Sequence, residues 1–111
     1  MVSNRVKAQF ERQSDGVFLL SGELSFASVP GVLRESEPLL ANRNGADVTI
    51  TIDLQAVGRS DSAGIALLVE WLRNAKNQNS DITFLNIPPQ MLALTRLSGL
   101  ETVLGLPKTA S

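Results

Sequence analysis

The residues best placed to do chemistry lie in GRSDSAGIALL, residues 58–68, where Ser60, Asp61 and Ser62 stand together ahead of Gly64 and an apolar run. A serine at the mouth of a helix can be a nucleophile, part of a phosphate cradle, a phosphorylation switch or a cap. A nucleophile elbow reads G-x-S-x-G and needs a base; here the position two before Ser62 is Ser60. The sequence contains no histidine and no cysteine. That excludes Ser-His-Asp and Cys-His catalysis, imidazole or thiolate metal sites and disulfides within this chain. A Ser-Lys pair would have to recruit Lys7, Lys76 or Lys108, which fall in an outer strand, near a helix end and in the tail. A P-loop fails because no lysine follows Gly64 to grip a phosphate. Asp53, at a strand end, would suit a phospho-aspartate receiver, but the clustered acids and strand-end lysine of that chemistry are not visible.

What remains at Ser62 is geometry. A helix N-terminus offers unpaired N–H groups and a partial positive charge, so a phosphate there gains roughly 0.3–1 kcal/mol of local electrostatics. A docked partner, in contrast, would meet about −1.5 to −2 of new charge beside Asp61. The plainer reading makes Ser60 or Asp61 an N-cap, Ser62 an early helical residue and Gly64 a packing accommodation.

The helix that follows carries its own signal. At 100° per residue, Ile65, Leu68, Val69, Leu72 and Ala75 form the stripe expected to face a sheet, while Leu67, Glu70, Trp71 and Asn74 fall to one side. Trp71, the one tryptophan, reads either as an apolar anchor within a polar rim or as a side chain packed against a neighbouring helix. On the first reading Ser60 to Gly64, Leu67 and Trp71 make a docking strip.

The elements that must position this strip follow from periodicity. Residues 5–11 alternate with Val6, Ala8 and Phe10 on one face, and Ser14-Asp15-Gly16 then predicts a hairpin into a strand from Val17 to Leu20, closed by Ser21-Gly22-Glu23. Ser28 and Pro30 open a helix through Val32, Leu33, Leu39 and Leu40, which Pro38 should kink or interrupt. Val48 to Leu54 (VTITIDL) reads as a central strand covered on both sides. The Ser62 loop, a helix to about Gln78, a strand from Asp81 to Ile87 and a helix opened by Pro88-Pro89 and stopped by Gly99 complete an α/β order with parallel crossovers. Residues 100–106 read as a docked apolar tail.

At 111 residues, 43% apolar and 19% charged, the chain is sized and composed as one globular domain, with an ordered core at about 5–105. Its ten basic and eleven acidic residues are scattered, so no nucleic acid partner is expected. The N-terminus has no apolar core of a signal peptide, and the run Ile65–Val69 is too short to span a bilayer. A cytoplasmic location without direct membrane insertion is expected.

The strand VTITIDL, the loop, Asp61-Ser62-Ala63-Gly64 and Ile65-Ala66-Leu67-Leu68 resemble the strand–loop–D-[ST]-x-G–helix signature of the STAS family. The SGEL segment, residues 21–24, resembles its G-x-L/I-D segment, with Ser25 where the family often has Asp. The resemblance covers roughly 5–105 and implies an α/β, STAS-type mixed sheet of four to five strands. An N-terminal antiparallel hairpin, parallel crossovers and three to four helices would complete it. Ala63, the Ala66-Leu67-Leu68 run, the short helix-to-strand turn and the L-x-x-L-x-x-L ending resemble most the STAS subunit of the Mla phospholipid-transport ABC complex.

That resemblance implies a non-catalytic, cofactor-free accessory subunit. It would bind the cytoplasmic ATPase subunit of a complex with permease and substrate-binding subunits, peripheral at the inner membrane, and support outer-membrane lipid asymmetry. The ATPase would face the Ser62 loop and the outward side of its helix. The alternative is an anti-sigma-factor antagonist, in which unmodified Ser62 binds a kinase partner and phosphorylated Ser62 releases it.

Overall fold

The computed structural model describes residues 8–42 and 44–105. Its elements run β1 (Gln9–Ser14), β2 (Val17–Leu24), α1 (Val29–Leu40), β3 (Val48–Ser60), α2 (Ser62–Lys76), β4 (Ser80–Leu85) and α3 (Pro89–Leu97). The four strands form one sheet in the order β1-β2-β3-β4. β1 pairs antiparallel with β2 across the Asp15-Gly16 turn, and the remaining pairs are parallel. Val6 and Leu106, read above as part of the first strand and of the tail, lie outside the described residues.

Two right-handed crossovers that step in one direction place their helices on the same face of a sheet, and α1 packs on α2 accordingly. Between helices and sheet lies the core, with Leu20, Leu24, Ile52, Leu54, Leu67, Leu68 and Met91 fully buried. Each such side chain contributes about 1.5–3 kcal/mol on leaving water. The opposite face of the sheet stays exposed or half-exposed among the described residues, with Glu11, Leu19, Thr49, Thr51, Asp81 and Thr83 on it. VTITIDL is therefore covered on one side, and its threonines face solvent.

Three strand limits differ from the sequence reading, each for a local reason, and α1 is not interrupted at its proline. β3 does not stop at Leu54 but continues to Ser60, and β2 continues with it to Leu24. Two steps along β2, Leu19 to Ser21, are matched by three along β3, Asp53 to Ala56; one step, Gly22 to Glu23, is matched by two, Val57 to Arg59. Each is a bulge that inserts a residue and re-aims the strand. The inward positions accordingly run Ile50, Ile52, Leu54, Val57 and Ser60, at spacings of two and then three. α1 runs through Pro38 to Leu40 because the proline sits in the last turn, where one intrahelical bond is forfeited and Leu40 packs against the core. β4 ends at Leu85, where Asn86 takes φ 55° and turns the chain.

Gly99 stops α3 as read. It lies at φ 70°, its N–H donates to the Arg96 carbonyl at 3.1 Å, and the Leu100 N–H donates to the Thr95 carbonyl at 3.0 Å. This is a Schellman closure, and the left-handed residue it requires favours glycine. Beyond it Leu104 is buried, as expected of a docked tail.

The buried arc of α2 is broader than a single sheet-facing stripe because α1 lies alongside. Leu67 is 1% exposed and Trp71 is 2% exposed. The indole N–H of Trp71 donates to Ser36 Oγ of α1 at 2.8 Å, and its ring lies 5.2 Å from that of Phe10, which in turn stacks on Phe18. Trp71 is thus the packed side chain of the second sequence reading, satisfied by a hydrogen bond where it enters the core. Replacing Trp71 by Ala is expected to destabilise the fold by about 3–5 kcal/mol. Ser36→Ala, which strands the indole N–H, is expected to cost about 1–3 kcal/mol. Urea denaturation followed by far-UV circular dichroism checks both; a change under about 0.5 kcal/mol in either variant would contradict this packing.

Candidate functional site: the entrance of helix α2

In a parallel sheet the connections that leave the carboxyl ends of the strands gather at one edge, the usual location of a site in α/β domains. Here the turn Ser25–Ser28 after β2 and Asp61 after β3 lie together, whereas β4 ends level with Asp53 and only the start of α3 reaches the end of β3. Leu24 and Ser60 are register neighbours, and the Asp61 N–H donates to the Leu24 carbonyl at 3.0 Å, so the ends of β2 and β3 are tied together.

Asp61 caps α2. Its Oδ1 accepts the Ala63 N–H at 2.8 Å, and its carbonyl accepts the Gly64 N–H at 3.0 Å. A short acidic side chain is well suited to this position, where it satisfies an orphan amide and faces the positive end of the helix. Ser62 is the first residue of the helix and is exposed, as is Asp61 itself.

The other members of the predicted strip are turned inward. Ser60 is 4% exposed and Ala63 is 6% exposed, because β3 carries its inward register to its last residue and the first turn of α2 folds onto it. Ser60 Oγ donates to the Asp61 carbonyl at 2.8 Å. Gly64 is buried, and a Cβ there would collide with Ser60 Oγ and the Leu24 side chain. The glycine therefore serves internal packing: it lets α2 rest directly on the ends of β2 and β3. Leu67 and Trp71, expected on the docking strip, belong to the core for the reason given above. The surface left on the outward side runs from Asp61 and Ser62 through Ala66 to Arg73, with Val69 and Glu70 half-buried along it. Arg73 and Glu70 form an exposed ion pair at 3.5 Å.

Two parts of this edge carry no signal in residue spacing. The first is Gln90. β4 pairs with β3 only along Val48–Asp53, so the last seven residues of β3, 54–60, have no strand on that side. Gln90 of α3 reaches across: its Oε1 accepts the Ser60 N–H at 3.0 Å and its Nε2 donates to the Ser60 carbonyl at 2.6 Å. A side-chain amide has the donor and acceptor of a peptide group and here takes the place of the missing strand. The second is the Ser25–Ser28 turn. The Ser25 N–H donates to Ser28 Oγ at 2.9 Å, Ser28 Oγ donates to the Glu23 carbonyl at 2.7 Å, and the Ser28 N–H donates to the Ser25 carbonyl at 3.1 Å.

Among the described residues no group of acidic, histidine or cysteine side chains could hold a metal ion, and no helix is long and apolar enough to cross a membrane. The arrangement at the α2 entrance presents a hydroxyl and a carboxylate on a rigid ledge.

The family model described as Mlab, STAS domain matches residues 8–106. The chain belongs to the STAS family. The mixed four-stranded sheet with three helices is the architecture expected of it, and STAS domains are typically non-catalytic binding or regulatory modules. Solved structures share the fold at low identity. An anti-sigma factor antagonist from Mycobacterium paratuberculosis is 21% identical, with a TM-score of 0.63 over 94% of this chain and 86% of that one. SpoIIAA, an anti-sigma factor antagonist in its unphosphorylated form, is 20% identical, with a TM-score of 0.64 over 91% of this chain and 99% of its own. Mglu matches 73% of this STAS chain and 20% of its own length, at 23% identity and a TM-score of 0.53. No curated protein sequence matches the chain.

The tight approach at Gly64 generates a prediction. Gly64→Ala is expected to destabilise this STAS domain by about 1–3 kcal/mol through overpacking, and adding Ser60→Ala is expected to return part of that loss by removing the hydroxyl in the way. Thermal unfolding of the single and double variants measures it; a double variant no more stable than Gly64→Ala would place the clash elsewhere.

Proposed function

We propose that this STAS domain is a non-catalytic accessory subunit of a bacterial phospholipid-transporting ABC complex, which binds and supports the ATPase subunit through the entrance of α2. The observation that carries the reading is the match to the Mlab type of STAS model across residues 8–106, joined to an exposed Asp61-Ser62 pair at a rigid helix entrance. The ATPase would contact Asp61, Ser62 and the outward positions that follow, while Ser60, Ala63, Gly64, Leu67 and Trp71 hold that surface in shape from beneath. The complex would carry the subunit at the inner face of the inner membrane, and its transport would maintain the lipid asymmetry of the outer membrane.

A second reading draws on two of the solved structures, both of anti-sigma factor antagonists. In it Ser62 would be the switch: unmodified it would bind a kinase partner, and phosphorylated it would release that partner. Both readings use the same exposed hydroxyl, and both accept a phosphate there without unfolding, since negative charge at a helix N-terminus is favourable.

Co-purification separates them. The unaltered chain is expected to co-purify with the ATPase subunit of the transporter from the same organism and not with its anti-sigma kinases. Ser62→Glu is expected to abolish that association while shifting the melting temperature by less than about 2 °C. Retained association would remove Ser62 from the interface, and capture by an anti-sigma kinase in place of the ATPase would establish the second reading.

A further inference from the structure

Phe10, Phe18 and Trp71 are buried, and Phe84 packs against the core. The remaining aromatic side chain, Phe26, is 76% exposed. Single apolar residues on a surface are ordinary, but this one is held out by structure. It sits at the tip of the Ser25–Ser28 turn, which is closed by the three bonds described above and by two more, from the Ala27 N–H to Ser25 Oγ at 3.2 Å and from the Val29 N–H to the Ser25 carbonyl at 2.9 Å. With the chain fixed on both sides, Phe26 is presented on an ordered support.

Its position matters as much as its exposure. Phe26 follows Leu24 by two residues, a span of at most about 7 Å, and Leu24 is the residue whose carbonyl accepts the Asp61 N–H and whose side chain lies against Gly64. Phe26 and Ser62 therefore flank one mouth. We propose that Phe26 is the principal apolar anchor of the partner interface at the α2 entrance, and that it inserts into an apolar pocket on the ATPase subunit whose rim carries a Lys or Arg facing Asp61. The proposal rests on the functional reading above and names the part of the surface that supplies affinity. Hot spots of protein interfaces are commonly pre-ordered aromatic side chains bordered by polar groups.

Charge selects a protein as the occupant. Neither the turn 25–28 nor residues 61–65 contain a cation, and the neighbouring Glu23 and Arg59 stand side by side and offset one another, which leaves Asp61 as the net charge of the mouth. An anionic lipid surface or a nucleic acid backbone is bound through a surplus of lysines and arginines, and the described residues of this mouth carry none, Arg59 being offset by Glu23. A second copy docked through Phe26 about a two-fold axis would bring one Asp61 towards the other.

The test is calorimetric titration of the purified ATPase subunit with the intact domain. Phe26→Ala is expected to raise the Kd about 30-fold or more, Phe26→Leu to raise it by less, and Leu97→Ala, which trims an 85% exposed leucine at the end of α3, to leave it unchanged. The melting temperature should not move in any of the three. Asp61→Asn keeps a capping side chain and should flatten the salt dependence of the affinity. Equal affinity for Phe26→Ala and the unaltered domain would overturn the anchor alone. Failure of the unaltered domain to bind would overturn the anchor together with the functional reading. Self-association in sedimentation, or flotation with phosphatidylglycerol-containing vesicles, that disappears in Phe26→Ala would assign the side chain to a different occupant and overturn the proposal.

Discussion

The contact on which the rest of the structure depends is the approach of α2 to the ends of β2 and β3. Gly64 lies where any side chain would strike Ser60 Oγ and Leu24, so the helix can start directly above the strands with no intervening loop. From this follow the cap by Asp61, the bond from Asp61 to the Leu24 carbonyl, and the placement of Ser62 as the first exposed residue. A looser junction would leave the hydroxyl on a flexible segment. A partner that must recognise one hydroxyl and respond to its modification needs that group held at a fixed position, because ordering a mobile loop on binding costs affinity.

The inner side of α2 shows how such an entrance is kept in place. The helix is anchored twice, on the sheet through Ile65 and Leu68 and on α1 through Trp71, whose indole is tied to Ser36. These interactions involve side chains buried on the inner side of the helix. They fix the axis of the helix, and so determine the direction in which its N–H groups and first side chains point. The buried aromatic cluster of Phe10, Phe18 and Trp71 extends that support to the hairpin. The helices thus brace the covered face of the sheet, and the exposed hydroxyl of Ser62 lies at the ends of β2 and β3.

Much of the fold was legible in the residues. Asp15-Gly16 between alternating runs specified the hairpin, VTITIDL specified the central strand, and Gly99 after an apolar helix specified its stop, because each is a local preference of the backbone. The continuation of β3 was not legible: two bulges change the inward spacing from two to three after Leu54, and a reading based on strict alternation loses the strand there. At the candidate site, the D-S-A-G segment placed Asp61 and Ser62 at the helix entrance with the cap as read. The faces of α2 were misjudged at Leu67 and Trp71, since periodicity shows which residues share a side but not that a second helix lies against it. The placement of Phe26 and the bond of Gln90 to Ser60 were not legible because they depend on neighbours about 30 residues or more away in sequence, joined only by the fold.

The reach of β3 beyond β4 has a consequence for solubility. A strand that outruns its neighbour leaves a row of open amides and carbonyls, the template on which other chains polymerise. Gln90 blocks that template at its last rung, since a strand arriving from another molecule would have to displace an amide already engaged at both its ends. The first turn of α3 thereby shortens the stretch of β3 on which another chain could pair, immediately beside the entrance of α2.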